Sequence, residues 1–113
     1  MNTTKNQKIS RLIQKNLGEY FQQNGRMLLG SAIMITVTAV RISSDSSVAK
    51  IYLSLFGSED KLKALDIIQL KTKEIRRELG IKVRNQIRKI PELIFYIDDS
   101  LDYAENIERL LKN

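Results

Sequence analysis

At 113 residues, 42% of them apolar and with one Pro and five Gly, the chain has the size of one domain around one hydrophobic core, with no low-complexity linker. Having neither His nor Cys, it lacks the commonest zinc ligands, the commonest general base, a thiol nucleophile and any disulfide. The formal charge of +6 is uneven: residues 58–90 carry ten basic and five acidic side chains, residues 91–113 two basic and six acidic.

The first element is an amphipathic helix. Ile9, Leu12, Ile13, Leu17, Tyr20 and Phe21 keep helical spacing and form one apolar stripe, while Lys8, Arg11 and Lys15 repeat on another side. Asn24-Gly25 is the expected stop, because both residues tolerate the left-handed conformation of a helix end. Residues 1–4 are expected to be loose.

Two strands follow. Ala32 to Ile42 is rich in β-branched side chains, which suit a pleated surface. Ser43-Ser44-Asp45-Ser46-Ser47 reads as a turn, since short oxygen-bearing side chains bond their own backbone. Val48 to Phe56 then alternates, with Ala49, Ile51, Leu53 and Leu55 on one face and Lys50, Tyr52 and Ser54 on the other. The pair predicts an antiparallel hairpin ended by Gly57.

Ser58 is the expected N-cap of the next helix, followed by Glu59 and Asp60 where the helix dipole favours negative charge. Leu62, Leu65, Ile68, Thr72, Ile75, Leu79 and Val83 keep helical spacing, so periodicity predicts one long helix with any break near Gly80. Lys73, Arg77 and Arg84 align opposite Ile75 and Leu79, and Arg76, Lys82 and Arg88 widen that strip. Such a ridge lets one helix sit on a core and face a phosphate backbone.

Ile87 to Ile97 reads as a third strand, with Leu93, Phe95 and Ile97 on one face and Pro91 marking a start, an edge or a bulge. Asp99 or Ser100 would cap a short last helix through 113, with Ala104, Ile107 and Leu111 inward. The order helix, strand, strand, helix (one or two), strand, helix predicts an α+β sandwich with helices on one sheet face.

Motifs for chemistry are missing. Gly25 and Gly30 have the phosphate-loop spacing, but Ser31 and Ala32 follow where Lys and Ser/Thr are needed. Asp98 and Asp99 are neighbours on a strand, so they point to opposite faces and cannot share a site. Met1 to Lys8 is polar, and Ala32 to Val40 is under half the roughly 20 residues of a membrane span. The expectation is a cytoplasmic protein, a monomer, with no enzymatic activity, cofactor, metal, membrane or small-molecule substrate.

Three stretches carry a resemblance. Thr36-Val37-Thr38-Ala39-Val40, Ser43-Ser44-Asp45 and Ala49 to Ser54 resemble the strand-hairpin signature of the ribosome-binding factor A family. Ile75-Arg76-Arg77-Glu78-Leu79-Gly80 looks like that family's second-helix segment. Pro91 to Ser100 looks like its run Pro-Glu-Leu-x-Phe-x-x-Asp-x-Ser. The resemblance implies a KH-like fold of type II, α-β-β-α-α-β, without the Gly-x-x-Gly loop of ordinary KH domains. It also implies a kink between the middle helices, where the family's usual Ala-x-Gly is replaced by Lys71-Thr72-Lys73, and about two extra residues between Gly80 and Pro91.

The partner this resemblance implies is the free small ribosomal subunit, with a role in late maturation and processing of its 16S rRNA. The candidate RNA-binding residues are Lys71, Lys73, Arg76, Arg77, Lys82, Arg84, Arg88 and Lys89, with Lys8, Arg11 and Lys15 second. Each would make charge-assisted contacts to phosphate oxygens, Arg as a fork. Tyr52 and Tyr96 are sheet residues that are also able to stack on bases. The alternatives are a KH-like module for other single-stranded RNA and a protein–protein adaptor with a basic face.

Overall fold

The structure is a computed structural model and describes residues 4–99. Its elements are α1 (Thr4–Leu29), β1 (Met34–Ile42), β2 (Val48–Phe56), α2 (Lys61–Leu70), α3 (Thr72–Val83) and β3 (Glu92–Ile97). This is the predicted α-β-β-α-α-β order. The expected loose start overlaps the described residues only at Thr4, which opens α1, and the expected last helix lies outside them.

α1 runs past the predicted stop. A Cβ on Gly25 would come within 3.3 Å of Ile35 Cδ1, so this glycine serves close helix–strand packing rather than termination. Asn24, instead of capping, bonds back to the Tyr20 carbonyl (2.9 Å). The helix ends at Leu29 because Gly30 follows with φ of +90° and its N–H reaches the Arg26 carbonyl.

The sheet order is β1-β2-β3, with β1 and β2 antiparallel and β2 and β3 parallel. A bulge between Val37 and Ala39 puts Val37 and Val40, three residues apart, on the same buried face. The bulge is tied on both sides. Gln14 of α1 donates to the Val37 carbonyl (3.2 Å), and the Thr38 hydroxyl donates to the Asp98 carboxylate (2.6 Å).

The inner face read in β2 holds, since Ala49, Ile51, Leu53 and Leu55 are all buried, but on the other face Ser54 is buried as well while Lys50 is exposed. They meet Ile13, Leu17 and Phe21 of α1, Ala64 and Ile68 of α2, Ile75, Leu79 and Val83 of α3, and Leu93 and Phe95 of β3. Phe21 and Phe95 pack edge to face, 6.2 Å between centroids. The three helices among the described residues therefore cover one sheet face.

Three sequence expectations need correction here. Asp60, not Ser58, caps α2, its carboxylate accepting from the Lys63 N–H at 3.1 Å. Leu62 is exposed, because at about 100° per residue it lies some 200° round the helix from buried Ala64. β3 begins at Glu92 rather than Ile87; residues 84–91 are a turn and an irregular, bent return, with Ile87 as a buried anchor.

The predicted single helix is two. The break falls at Lys71, the place the family resemblance implied, and not at Gly80, which lies inside α3. Lys71 leaves helical geometry (φ −100°, ψ 7°), its N–H bonds three residues back to Ile68, and the Thr72 hydroxyl donates to the Gln69 carbonyl. The break lets α2 pack on β3 while α3 packs on α1.

Candidate nucleic-acid interface

Burial of Ile75, Leu79 and Val83 fixes the rotation of α3, and that rotation leaves Lys73, Arg76, Arg77 and Lys82 outside. Beyond α3 the chain doubles back. The N–H groups of Gln86 and Ile87 both bond to the Val83 carbonyl, and Ile87 enters the core. Arg88 and Lys89 are thereby held exposed beside α3.

The result is an open groove of about 690 Å3 between α3 and the return segment. Lys73, Arg76 and Arg77 line it from the helix and Arg88 and Lys89 from the return, with Glu74 the acidic member. Arg76 also fixes the wall, since its Nε donates to the Pro91 carbonyl at 3.0 Å and its Nη2 to the Ile90 carbonyl at 2.5 Å. Five of the eight first-rank candidates therefore converge, though one is partly committed to holding the groove in shape.

A second groove adjoins the first and shares Arg88 and Lys89 with it. Lys5, Lys8 and Ile9 of α1, the hairpin turn at Asp45, Ser46 and Ser47, and Gln86 and Ile87 complete its lining. The turn is clamped to α1, because buried Asn6 donates to the Ser43 carbonyl and accepts from the Ser46 hydroxyl. Asp45 is held by the Ser47 and Ser43 hydroxyls and the Ser47 N–H, which lower its pKa to about 2. It stays an anion at the rim of a basic groove.

Not every candidate joins these grooves. Lys71 faces a separate, mixed-charge groove with Tyr20, Glu74, Arg77 and Glu78, and its ammonium lies 3.9 Å from Glu74. Burial, then Glu74 and Glu78, raise the Tyr20 pKa above its ordinary value. Lys82, Arg84, Arg11 and Lys15 are exposed and line neither basic groove. Lys5 was missed by sequence reasoning, although it stands three residues before Lys8 and extends the row of Lys8, Arg11 and Lys15 by one helical step.

The arrangement can hold polyanions at two adjacent depressions through ammonium and guanidinium groups carried on fixed stretches of backbone. Among the described residues no cluster of three or more acidic side chains is placed to hold a metal ion. Nor, among them, is any helix long and apolar enough to cross a membrane.

Comparison with known proteins gives a consistent answer. Residues 5–111 match the model of the family described as ribosome-binding factor A. The chain is 45% identical over 111 residues to the ribosome-binding factor A of Cytophaga hutchinsonii, covering 98% of this chain and 83% of that one. The crystal structure of ribosome-binding factor A from Thermus thermophilus superposes with a TM-score of 0.67 at 26% identity, covering 81% of this chain and 94% of that one. A Thermus thermophilus homology model fitted into a cryo-EM map of a 30S complex is similar too, with a TM-score of 0.60, 26% identity, and 78% and 93% coverage.

Proposed function

The chain belongs to the ribosome-binding factor A family, and from that premise we propose that it binds the free small ribosomal subunit and assists late maturation and processing of its 16S rRNA. The observation that carries this reading is the convergence of Lys73, Arg76, Arg77, Arg88 and Lys89 on one groove. Cations held at fixed spacing match a phosphate backbone, and neutralising phosphates releases condensed counterions, the main source of sequence-independent affinity. Shape then selects the site.

On this reading the protein acts by occupancy rather than by bond chemistry. The Lys73–Arg77 side of α3 and the Arg88–Lys89 return contact RNA, and Lys5 and Lys8 extend the contact towards the hairpin turn. Lys71, Lys82, Arg84, Arg11 and Lys15 add long-range attraction. The protein works as a cytoplasmic monomer. A relative from Thermus thermophilus has been fitted into the map of a 30S complex, which supports the same partner for this chain.

Co-sedimentation tests the proposal. The wild-type chain is expected to run with free small subunits, and the triple variant Lys73→Glu, Arg77→Glu, Arg88→Glu to remain at the top of the gradient while keeping its circular dichroism spectrum. Wild-type protein that ran only free or with large subunits would overturn the reading. Tight binding of short single strands without subunit binding would favour a general RNA module instead.

A further inference from the structure

The helices cover one face of the sheet, and strand register decides what the other face presents. Arg41 stands directly opposite Lys50, and Tyr52 directly opposite Tyr96. Arg41 and Lys50 are both exposed. Like charges placed opposite each other across strands repel, and among the described residues neither cation has a carboxylate partner within ion-pair distance. Among the described residues no ion pair offsets that local cost.

Beside the two cations the tyrosines stack, 5.4 Å between ring centroids and 23° between planes. The Arg41 guanidinium lies 6.0 Å from the Tyr52 centroid. Arg41, Tyr52 and Tyr96 therefore form a row across the sheet that ends on edge strand β3, where Tyr96 is 37% exposed. A tyrosine pair alone is an ordinary cross-strand contact. A tyrosine pair beside two exposed cations suits a ligand with both a flat π face and negative charge.

We propose that this outer sheet face is a second RNA site, on which Tyr96 stacks an unpaired base while Arg41 and Lys50 hold the adjoining phosphates. The partner is single-stranded, because bases inside a duplex are already stacked and cannot reach a side chain. Asp98 and Asp99 follow β3 instead of lying on it, so against the strand expectation both border one shallow depression next to Arg41 and Tyr52. Asp98 is held by Thr38 and Asp99 by Lys61 at 3.4 Å. Their charge repels phosphate at that end, so the strand's backbone runs over Lys50, between them and exposed Glu92, which stands on the same face opposite Val48. The site extends the RNA-binding reading above while using no residue of the α3 surface.

The test titrates the whole chain with a mixed-sequence single-stranded oligoribonucleotide and, separately, with a blunt-ended RNA duplex of two strands. Stacking is read directly as quenching of tyrosine emission, since the chain has four Tyr and no Trp. Tyr96→Leu keeps bulk without a π face; it is expected to weaken single-strand binding roughly tenfold and abolish most of the quenching, with duplex affinity unchanged. Tyr96→Phe is expected to bind as wild type, and Arg41→Gln with Lys50→Gln to weaken the single strand with a shallower salt dependence. Unchanged single-strand affinity and quenching in Tyr96→Leu overturns the proposal, as does equal loss on both probes. So does loss from the charge variants alone, which would point to an acidic protein segment as occupant. The same titrations in the Lys73→Glu, Arg77→Glu, Arg88→Glu background separate the two sites. Single-strand quenching that survives there supports the sheet site even if the α3 reading fails, and quenching that disappears there overturns it.

Discussion

Arg76 donates its Nε proton to the carbonyl of Pro91 over 3.0 Å, tying the cationic helix to the residue that precedes β3. The bond joins positions fifteen residues apart in sequence and closes one wall of the basic groove. It separates two roles that composition cannot tell apart: a cation that meets a partner and a cation that places other cations.

Arg76→Ala is therefore expected to lower stability by about 1–2 kcal/mol, through loss of charged hydrogen bonds to two carbonyls. Lys73→Ala, with no such bond, is expected to leave stability within about 0.5 kcal/mol. Urea denaturation of both variants checks the difference. Equal stability of the two would remove the positioning role of Arg76.

Salt dependence should sort the cations. Replacing Arg88 or Lys73 by Ala is expected to make the slope of log affinity against log salt shallower by roughly 0.7–0.9 for each phosphate no longer neutralised. Lys71→Ala, whose ammonium already faces Glu74, is expected to change it less. Binding of small-subunit RNA over a range of salt concentrations measures both.

Two glycines of similar backbone should respond differently to alanine. Gly57 has φ of +93°, and a Cβ there would fall 2.4 Å from the Ala32 carbonyl oxygen. Gly30 has φ of +90° with nothing within 4 Å. Gly30→Ala is expected to cost about 1 kcal/mol, from the left-handed conformation alone. Gly57→Ala is expected to cost about 2 kcal/mol or more, since backbone must move as well. Thermal melts of the two variants give the comparison.

The hairpin turn supplies a pH prediction. Asp45 titrates at about 2 when folded against an ordinary value of 3.8, because hydroxyls of Ser47 and Ser43 bond its charged form. A folded pKa below the unfolded one means the contribution is present above the ordinary value and is lost as pH falls through the folded one. Asp45→Asn is expected to be less stable than wild type at about pH 5, with the gap closing by about pH 2. A gap that is the same at both pH values would show that the carboxylate charge is not the source.

Much of the fold was legible along the chain because it depends on local periodicity. The alternation from Val48 to Phe56, the apolar stripe from Ile9 to Phe21 and the turn residues between the strands each report their own element. The break at Lys71 was not legible from pattern. Ile68 and Ile75 are seven residues apart and stay nearly in phase on an unbroken helix, so periodicity saw one element. The family resemblance supplied the break, and the packing of α2 on β3 and of α3 on α1 gives its reason.

The candidate surface divides in the same way. Sequence by itself determined that residues 58–90 are basic, that α3 has one apolar and one cationic side, and that β2 alternates; each follows from the spacing of side chains along one regular element. Tertiary structure alone decided that Arg88 and Lys89 return beside Lys73 and Arg77, that Arg76 is committed to Ile90 and Pro91, and that Tyr52 meets Tyr96. Those are relations between elements. They depend on how the return segment is anchored by Ile87 and on the parallel register of β2 with β3, and neither is encoded in the period of any single stretch.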